Sequence, residues 1–289
     1  MTAARKSRRP ADPGRVGGTD EAAGRSKERL DRLLVERGLA PSRERAQAML
    51  LSGLVRVDGR PGMKPGTLVP PGAEIAVTAP DHPFVGRGGV KLEGALSALG
   101  VEASGRVALD VGSSIGGFTD CLLKRGALRV YALDVGRGVL DWSLRNDPRV
   151  RVMEGRNARY LTSDDLPEPV DLAVIDVSFI SLRLILPPLR ALLAPAFDVV
   201  ALVKPQFEVG RGEVGRGGIV RDPAKHLKSL LRISEAAGTA GFSVRGACAS
   251  SLRGAEGNRE FFLHLSTPGP ESIRGDLLKE LLEGIAHGE

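Results

Sequence analysis

The chain has 289 residues, 42% hydrophobic and 26% charged, with a formal net charge of +6. That length suits about two domains with ordinary cores, and the basic balance suits a polyanionic partner without requiring one. Two cysteines, Cys121 and Cys248, are too few for a disulfide framework, and no CxxC or paired histidines give zinc-ligand spacing. This usage fits a reducing cytoplasm. The basic N-terminus lacks the apolar stretch of a signal peptide, and no run nears the roughly 18 apolar residues of a membrane helix. Residues 1–26 are rich in Arg, Gly, Ala and Pro without apolar period, and read as a disordered basic tail.

From Lys27, Leu30, Leu33 and Leu34 fall at helical spacing, closed by Gly38. Ser42 is an N-cap for a second helix, with Ala46, Met49 and Leu50 on its buried face and Gly53 as its stop. Val55 and Val57 alternate with Arg56, Asp58-Gly59 marks a tight turn, and Ile75 and Val77 form a later strand. This unit, 27–79, is too small for an enzyme core but large enough for a binding module. Arginine dominates its charge, and guanidinium forks suit phosphate oxygens. Arg29, Arg32, Arg43, Arg45 and Arg56 are its RNA-contact candidates, set against a merely solvated basic face. The stretches Arg29–Gly38, Ser42–Ala46 and Leu54–Gly59 resemble the S4-type RNA-binding domain. That resemblance implies a small α+β module and a structured RNA partner.

Residues 80–89, with Pro80, Pro83, Gly86, Gly88 and Gly89, read as a linker and turn. Strands and helices then alternate over 90–270. Val107–Asp110, a Gly112-Ser-Ser-Ile-Gly116-Gly117 turn, a helical run to Gly126 and Leu128–Asp134 make a βαβ unit with a glycine-rich first turn. The spacing is not GxGxxG. Asp110, two residues before the first glycine, would repel a pyrophosphate and suits a ligand carrying ammonium and sulfonium charge. Asp134 ends the second strand, where a carboxylate accepts both ribose hydroxyls. Together they favour S-adenosylmethionine over a nicotinamide dinucleotide. Leu172–Asp176 and Phe197–Val203 are further strands, Pro223–Ala237 is a helix capped by Asp222, and Phe242–Ala249 and Glu260–Leu265 close the sheet. Residues 271–289 read as a C-terminal tail or helix.

Ligands of open α/β sheets bind at the carboxyl ends of strands. Asp110, Asp176 and Lys204 stand at such ends. Lys204 follows an apolar strand and precedes Pro205, which turns the chain. Methylating a ribose 2′-hydroxyl needs a group to take its proton as the sulfonium methyl arrives in line. Lys204 is the candidate, with Lys91 lowering its proton affinity by repulsion and Asp176 opposing. A Lys204 that stays charged and stabilises the alkoxide is the alternative. Other methylation chemistries fit less well. The turn after the fourth strand is Asp176-Val-Ser-Phe, without the prolines of amino methylation, and both cysteines read as small core residues.

The segments Gly86–Leu92, Leu109–Leu123, Ala132–Gly136, Ile175–Leu182 and Leu202–Glu208 resemble the TlyA family, whose members are often labelled haemolysin A and are similar to FtsJ-type ribose methyltransferases. The resemblance covers about residues 27–266. It implies an α/β, Rossmann-like class I methyltransferase with a doubly wound, mostly parallel seven-stranded sheet. It implies S-adenosylmethionine as cofactor and 2′-O-methylation of cytidines in ribosomal RNA, with ribosomal subunits as partners and neither metal nor membrane. A Lys-Asp-Lys-Glu tetrad then falls on Lys91, Asp176, Lys204 and Glu260, and the cofactor contacts on Asp110, Gly112, Ser113, Ser114, Gly116, Gly117, Phe118, Asp134, Asn157 and Asp176. Three departures stand out: Ile115 where Thr is usual, Gly155-Arg156 before Asn157 where Arg-Thr is usual, and Ser250–Arg253 where Ser-Pro is common. The first two are expected to touch the cofactor pocket, the third to affect the placement of Glu260.

Two competing readings are a non-catalytic RNA-binding or ribosome-assembly protein on a methyltransferase scaffold, and a membrane-active haemolysin. The intact tetrad speaks against the first. The lack of a spanning segment, signal peptide or long amphipathic helix speaks against the second. Nicotinamide-linked oxidoreduction is disfavoured by Asp110.

Overall fold

The computed structural model describes residues 27–51, 53–61, 64–78, 82–254 and 256–288; the basic tail expected over 1–26 lies outside these. The N-terminal module runs β1 (Glu28–Arg29), α1 (Leu30–Glu36), α2 (Arg43–Leu51), β2 (Val55–Val57), β3 (Arg60–Pro61), β4 (Leu68–Val69) and β5 (Ile75–Val77). β1 pairs with β4, and β2 is the centre of an antiparallel sheet between β3 and β5. Leu30, Leu33, Leu34, Ala46, Met49, Leu50, Val55 and Val57 form its core, the positions marked by the helical and alternating spacing.

One buried carboxylate ties this module together. Asp31 has no solvent exposure. It accepts from the Arg29 guanidinium at 2.9 and 3.1 Å, from Arg43 at 3.0 Å, from the Gln47 amide at 2.9 Å and from the Arg32 backbone N–H at 2.9 Å. These donors join the first turn of α1 to α2. Burial alone would raise the Asp31 carboxyl, but the bonds from Arg29, Gln47 and Arg43 outweigh it and hold it well below the usual range.

The second domain begins with α3 (Arg87–Leu99), followed by β6 (Val107–Val111), α4 (Gly117–Lys124), β7 (Arg129–Asp134), α5 (Trp142–Arg145), β8 (Val150–Glu154) and β9 (Val170–Ile175). After these come α6 (Leu186–Arg190), β10 (Leu193–Val203), α7 (Pro205–Glu208), α8 (Pro223–Thr239), β11 (Ser243–Ala249), β12 (Phe261–Ser266) and α9 (Gly275–His287). The start of α3 corrects one expectation: Gly88 and Gly89 lie in its first turn, not in a linker before it. Their glycine content serves packing. A Cβ on Gly89 would meet Phe84 at 2.3 Å, and one on Gly117 would meet the Gly89 nitrogen at 2.9 Å, so α3 and α4 cross where only glycine fits.

The seven strands are ordered β11-β12-β10-β9-β6-β7-β8; β12 is antiparallel to both neighbours and the other pairs are parallel. Helices cover both faces, so strand residues are buried on both sides. In β6 and β9, Leu109, Val111, Ala173 and Ile175 face one core, and Ala108, Leu172 and Val174 face the other. α9 occupies the segment read as tail or helix and buries Leu282 and Ala286. The sheet grows from β6 through β7 to β8 on one side, then from β9 to β10 on the other. The crevice of this doubly wound sheet therefore lies beyond the carboxyl ends of β6 and β9.

Asp31→Ala is expected to destabilise the N-terminal module by about 1–3 kcal/mol, because Arg29, Arg43 and Gln47 lose their acceptor. Hydrogen exchange should show faster opening across residues 30–57 and unchanged protection in β6 and β9. Because the folded carboxyl lies below its unfolded value of about 3.9, its contribution is present above that pH and lost as pH falls, so the two proteins should converge in acid.

Candidate active site

The chain leaving β6 must turn sharply under the ends of β7 and β9. Gly112 does so at φ +90°, with its α-carbon so close to the Asp176 carbonyl that an added Cβ would lie 2.4 Å from the oxygen. The Gly112 and Ser113 N–H groups donate to the Leu133 carbonyl at 2.8 and 3.0 Å. Asp134, at the end of β7, accepts from the Ser114 N–H at 2.8 Å and from the Gly136 N–H at 2.7 Å. Its carboxylate is thereby fixed at the edge of the glycine loop.

Four charged side chains meet at the neighbouring strand ends. Asp176 follows β9 and Lys204 follows β10; the Lys204 Nζ lies 2.5 Å from Asp176 Oδ1 and donates to Ser178 Oγ at 3.0 Å. The Lys91 Nζ, from α3, lies 2.5 Å from Glu260 Oε2. Antiparallel pairing of Val203 with Phe261 brings the residues before and after them, Glu260 and Lys204, to the same end of the sheet. All four line one cleft. Lys91 is paired with Glu260, not with Lys204's partner Asp176, which refines the repulsion expected between the two lysines. Burial pulls the Asp176 carboxyl upward, but Lys204 and then Lys91 outweigh it and hold it below the usual carboxylate range.

This cleft opens into a larger one. The larger is lined by Gly112, Ser114, Asp134, Gly136, Asn157 and Asp176, among others, and the smaller also by Ser113, Gly117 and Phe118. Two residues expected at the cofactor line neither. Gly116 caps α4 at φ +103°, where a Cβ would strike Leu144 at 2.2 Å. Asp110 is fully buried beneath the loop and accepts from the Thr119 hydroxyl at 2.7 Å. Burial, then the Asp176 and Asp134 charges, push its carboxyl up to about 7 against the Thr119 bond. Its Oδ1 has no hydrogen-bond partner. Of the departures, Arg156 pairs with Asp165, away from both clefts; Arg253 lines the smaller cleft.

Residues not singled out from the sequence complete the site. Phe179 is 87% exposed at φ 64°, with its ring 5.1 Å from that of Phe207, and both line the two clefts together with Gln206. Glu208 accepts from the Ser181 hydroxyl at 2.5 Å and the Leu182 N–H at 2.9 Å, which moors the Ser178–Leu182 loop to α7. Alternation marks buried positions, so an exposed aromatic in a loop gave no periodic signal.

The five arginine candidates fall into two groups. Arg29 and Arg43 reach Asp31 with about half their side chains exposed, Arg32 pairs with Glu36 at the surface, and Arg56 is exposed. Arg45 is turned inward: it donates to the Val139 carbonyl and lies 3.0 Å from Asp141. Its guanidinium is thus engaged by the second domain and does not face solvent as an RNA contact would.

A family model for FtsJ-like methyltransferases matches residues 84–267, and one for the S4 domain matches residues 28–75. The chain belongs to the FtsJ-like methyltransferase family. Among its relatives, the 16S/23S rRNA (cytidine-2′-O)-methyltransferase TlyA of Mycobacterium tuberculosis is 49% identical over 253 residues, 87% of this chain and 94% of that protein. A Bacillus subtilis protein named as the rRNA methyltransferase YqxC is 48% identical over 88% of this chain and 90% of its own length. The solved structure of a Streptococcus thermophilus protein that carries the name hemolysin superposes with a TM-score of 0.69 at 42% identity, covering 91% of this chain and 97% of that one. Among the described residues of this methyltransferase, no helix is long and apolar enough to cross a membrane, and no cluster of His, Cys, Asp and Glu has metal-holding geometry.

Gly112→Ala is expected to lower the unfolding free energy by about 1–3 kcal/mol, since the new Cβ meets a backbone oxygen at a left-handed φ. A thermal melt should drop for this variant and stay unchanged for Gly212→Ala, whose Cβ would meet nothing within 4 Å.

Proposed function

We propose that the protein transfers a methyl group from S-adenosylmethionine to the ribose 2′-hydroxyl of a cytidine in ribosomal RNA. The observation that carries this reading is the pair of lysine–carboxylate couples, Lys204–Asp176 and Lys91–Glu260, lining one cleft that opens onto the glycine loop. The M. tuberculosis relative named for this reaction supports the choice of nucleotide and RNA.

The residues present fit the cofactor. Asp134 and Asp176 line the larger cleft on either side of the glycine loop, and beneath it the Asp110 Oδ1 is buried without a partner. The two carboxylates in the cleft favour a cationic ligand over a pyrophosphate. Asp134 would hold the ribose hydroxyls and Asn157 would border the adenosine, with the methionine portion under Gly112 and Asp176. The cofactor, when bound, supplies the electrophilic methyl.

The acceptor hydroxyl belongs beside Lys204. Asp176 and Ser178 aim its Nζ into the cleft, and the amine takes the hydroxyl proton. Asp176, 2.5 Å away, stabilises the ammonium that forms. Lys91 and Glu260 form the opposite wall. Their pairing keeps two further charges from disturbing the transfer and leaves their remaining donors and acceptors for the ribose. Phe179, exposed at the mouth, offers a stacking surface for a base turned out of its helix. Arg29, Arg32, Arg43 and Arg56 supply phosphate contacts, so affinity for rRNA should fall steeply with salt.

With radiolabelled cofactor and unmodified ribosomal subunits, the wild type should label rRNA and Lys204→Ala should slow transfer by about 10²–10⁴-fold while cofactor and rRNA affinities stay unchanged. Transfer by Lys204→Ala at the wild-type rate would remove Lys204 from the reaction, and absence of label from the wild type would remove the enzymatic reading.

A further inference from the structure

We infer that the S4 module is part of the cofactor site, and that Arg45 is a positioning residue that docks α2 against the glycine loop. The inference rests on the S-adenosylmethionine reading above. Four observations carry it. First, Glu44, Gln47 and Ala48, at i, i+3 and i+4 on one face of α2, line the larger cleft together with Asp134 and Asn157. The wall of the nucleoside pocket is thus drawn from both domains. Second, Arg45 donates from its two Nη atoms to the Val139 carbonyl and to Asp141, and its side chain is only 15% exposed. Third, Ala48 is buried against Ile115 and Val139, with Leu54 packed beside them. Ile115 belongs to the glycine loop itself. Fourth, Gly53, at φ +76°, sits so close to Arg87 that a Cβ would lie 2.9 Å from its Cδ.

The segment that α2 grips is held from the other side as well. Glu154, at the end of β8, accepts from the N–H groups of Gly138, Val139 and Leu140 at 2.8, 3.0 and 3.3 Å. Residues 138–141 therefore lie clamped between Glu154 and Arg45, directly after the Asp134–Gly136 rim. The unusual Ile115 acquires a physical reason here. Two per cent exposed, it is the apolar contact that the docked helix covers, where a threonine hydroxyl would need a partner.

Undocking α2 would uncover Ile115 and Val139 and release one anchor of the rim. The glycine loop would then have to be ordered by the cofactor alone. Docking and cofactor binding are consequently coupled, and each strengthens the other by the same factor.

The test is calorimetry of S-adenosylhomocysteine binding to the full chain. Arg45→Ala and, independently, Ala48→Glu should each raise its Kd by about tenfold, within the usual range of coupling between sites. Arg45→Lys should recover part of the loss, since one donor can still reach Val139 or Asp141. Affinity for rRNA, measured without cofactor, should stay within about twofold for Arg45→Ala, less than the loss of one phosphate contact. An unchanged Kd in both variants, or a loss of RNA affinity exceeding the loss of cofactor affinity, would overturn the inference and return Arg45 to the RNA-facing set. Failure of the wild type to bind would instead remove the cofactor reading, and this inference with it.

Discussion

Gly112 leaves β6 with its α-carbon against the Asp176 carbonyl, so near that no side chain could stand between them. The approach follows from strand order. β6 and β9 are neighbours in the sheet but successive connections leave them in opposite directions, and the crevice between their ends is where ligands of such sheets bind. With the loop so placed, Asp134 can hold it from β7, Asp176 can reach Lys204 just after β10, and Ile115 can present itself to α2. A bulkier residue at position 112 would push apart the loop and the strand end that carries Asp176.

Charge at the site is arranged in couples. A buried charge left without a partner is costly, and removing one member of a buried pair costs more than the pair contributes. Lys91 with Glu260 and Lys204 with Asp176 satisfy that constraint within the protein. Asp110 meets it another way: burial raises its carboxyl to about 7, towards the uncharged form, with one oxygen held by Thr119. The N-terminal module follows the same rule, with Asp31 collecting two arginines and an amide.

Much of this was legible in the sequence because both of its signals are local. Strands buried on two faces give short apolar runs, and the charged residues that end them, Asp176 and Lys204, mark the crevice. What was not legible depends on tertiary contact. Gly88 and Gly89 read as a linker because glycine density signals turns; here it permits two helices to cross. Asp110 read as a ligand contact because its position on the strand was clear, but its side chain points beneath the loop. Arg45 is chemically indistinguishable from Arg43 in the sequence, and only docking separates them: one faces solvent beside Asp31, the other reaches Val139 and Asp141. Phe179 closes the Asp176-Val-Ser-Phe turn, yet exposure of an aromatic has no periodic signature.

Transfer of the methyl group to a ribose oxygen is tested most directly by the fate of the labelled RNA in alkali. A 2′-O-methyl group removes the hydroxyl that alkaline cleavage requires, so the adjoining phosphodiester survives. rRNA labelled by the protein and hydrolysed in alkali should release its label in dinucleotides with cytidine as the 5′ residue. Label recovered in mononucleotides would place the methyl on a base and contradict the role given to Lys204 and its partners.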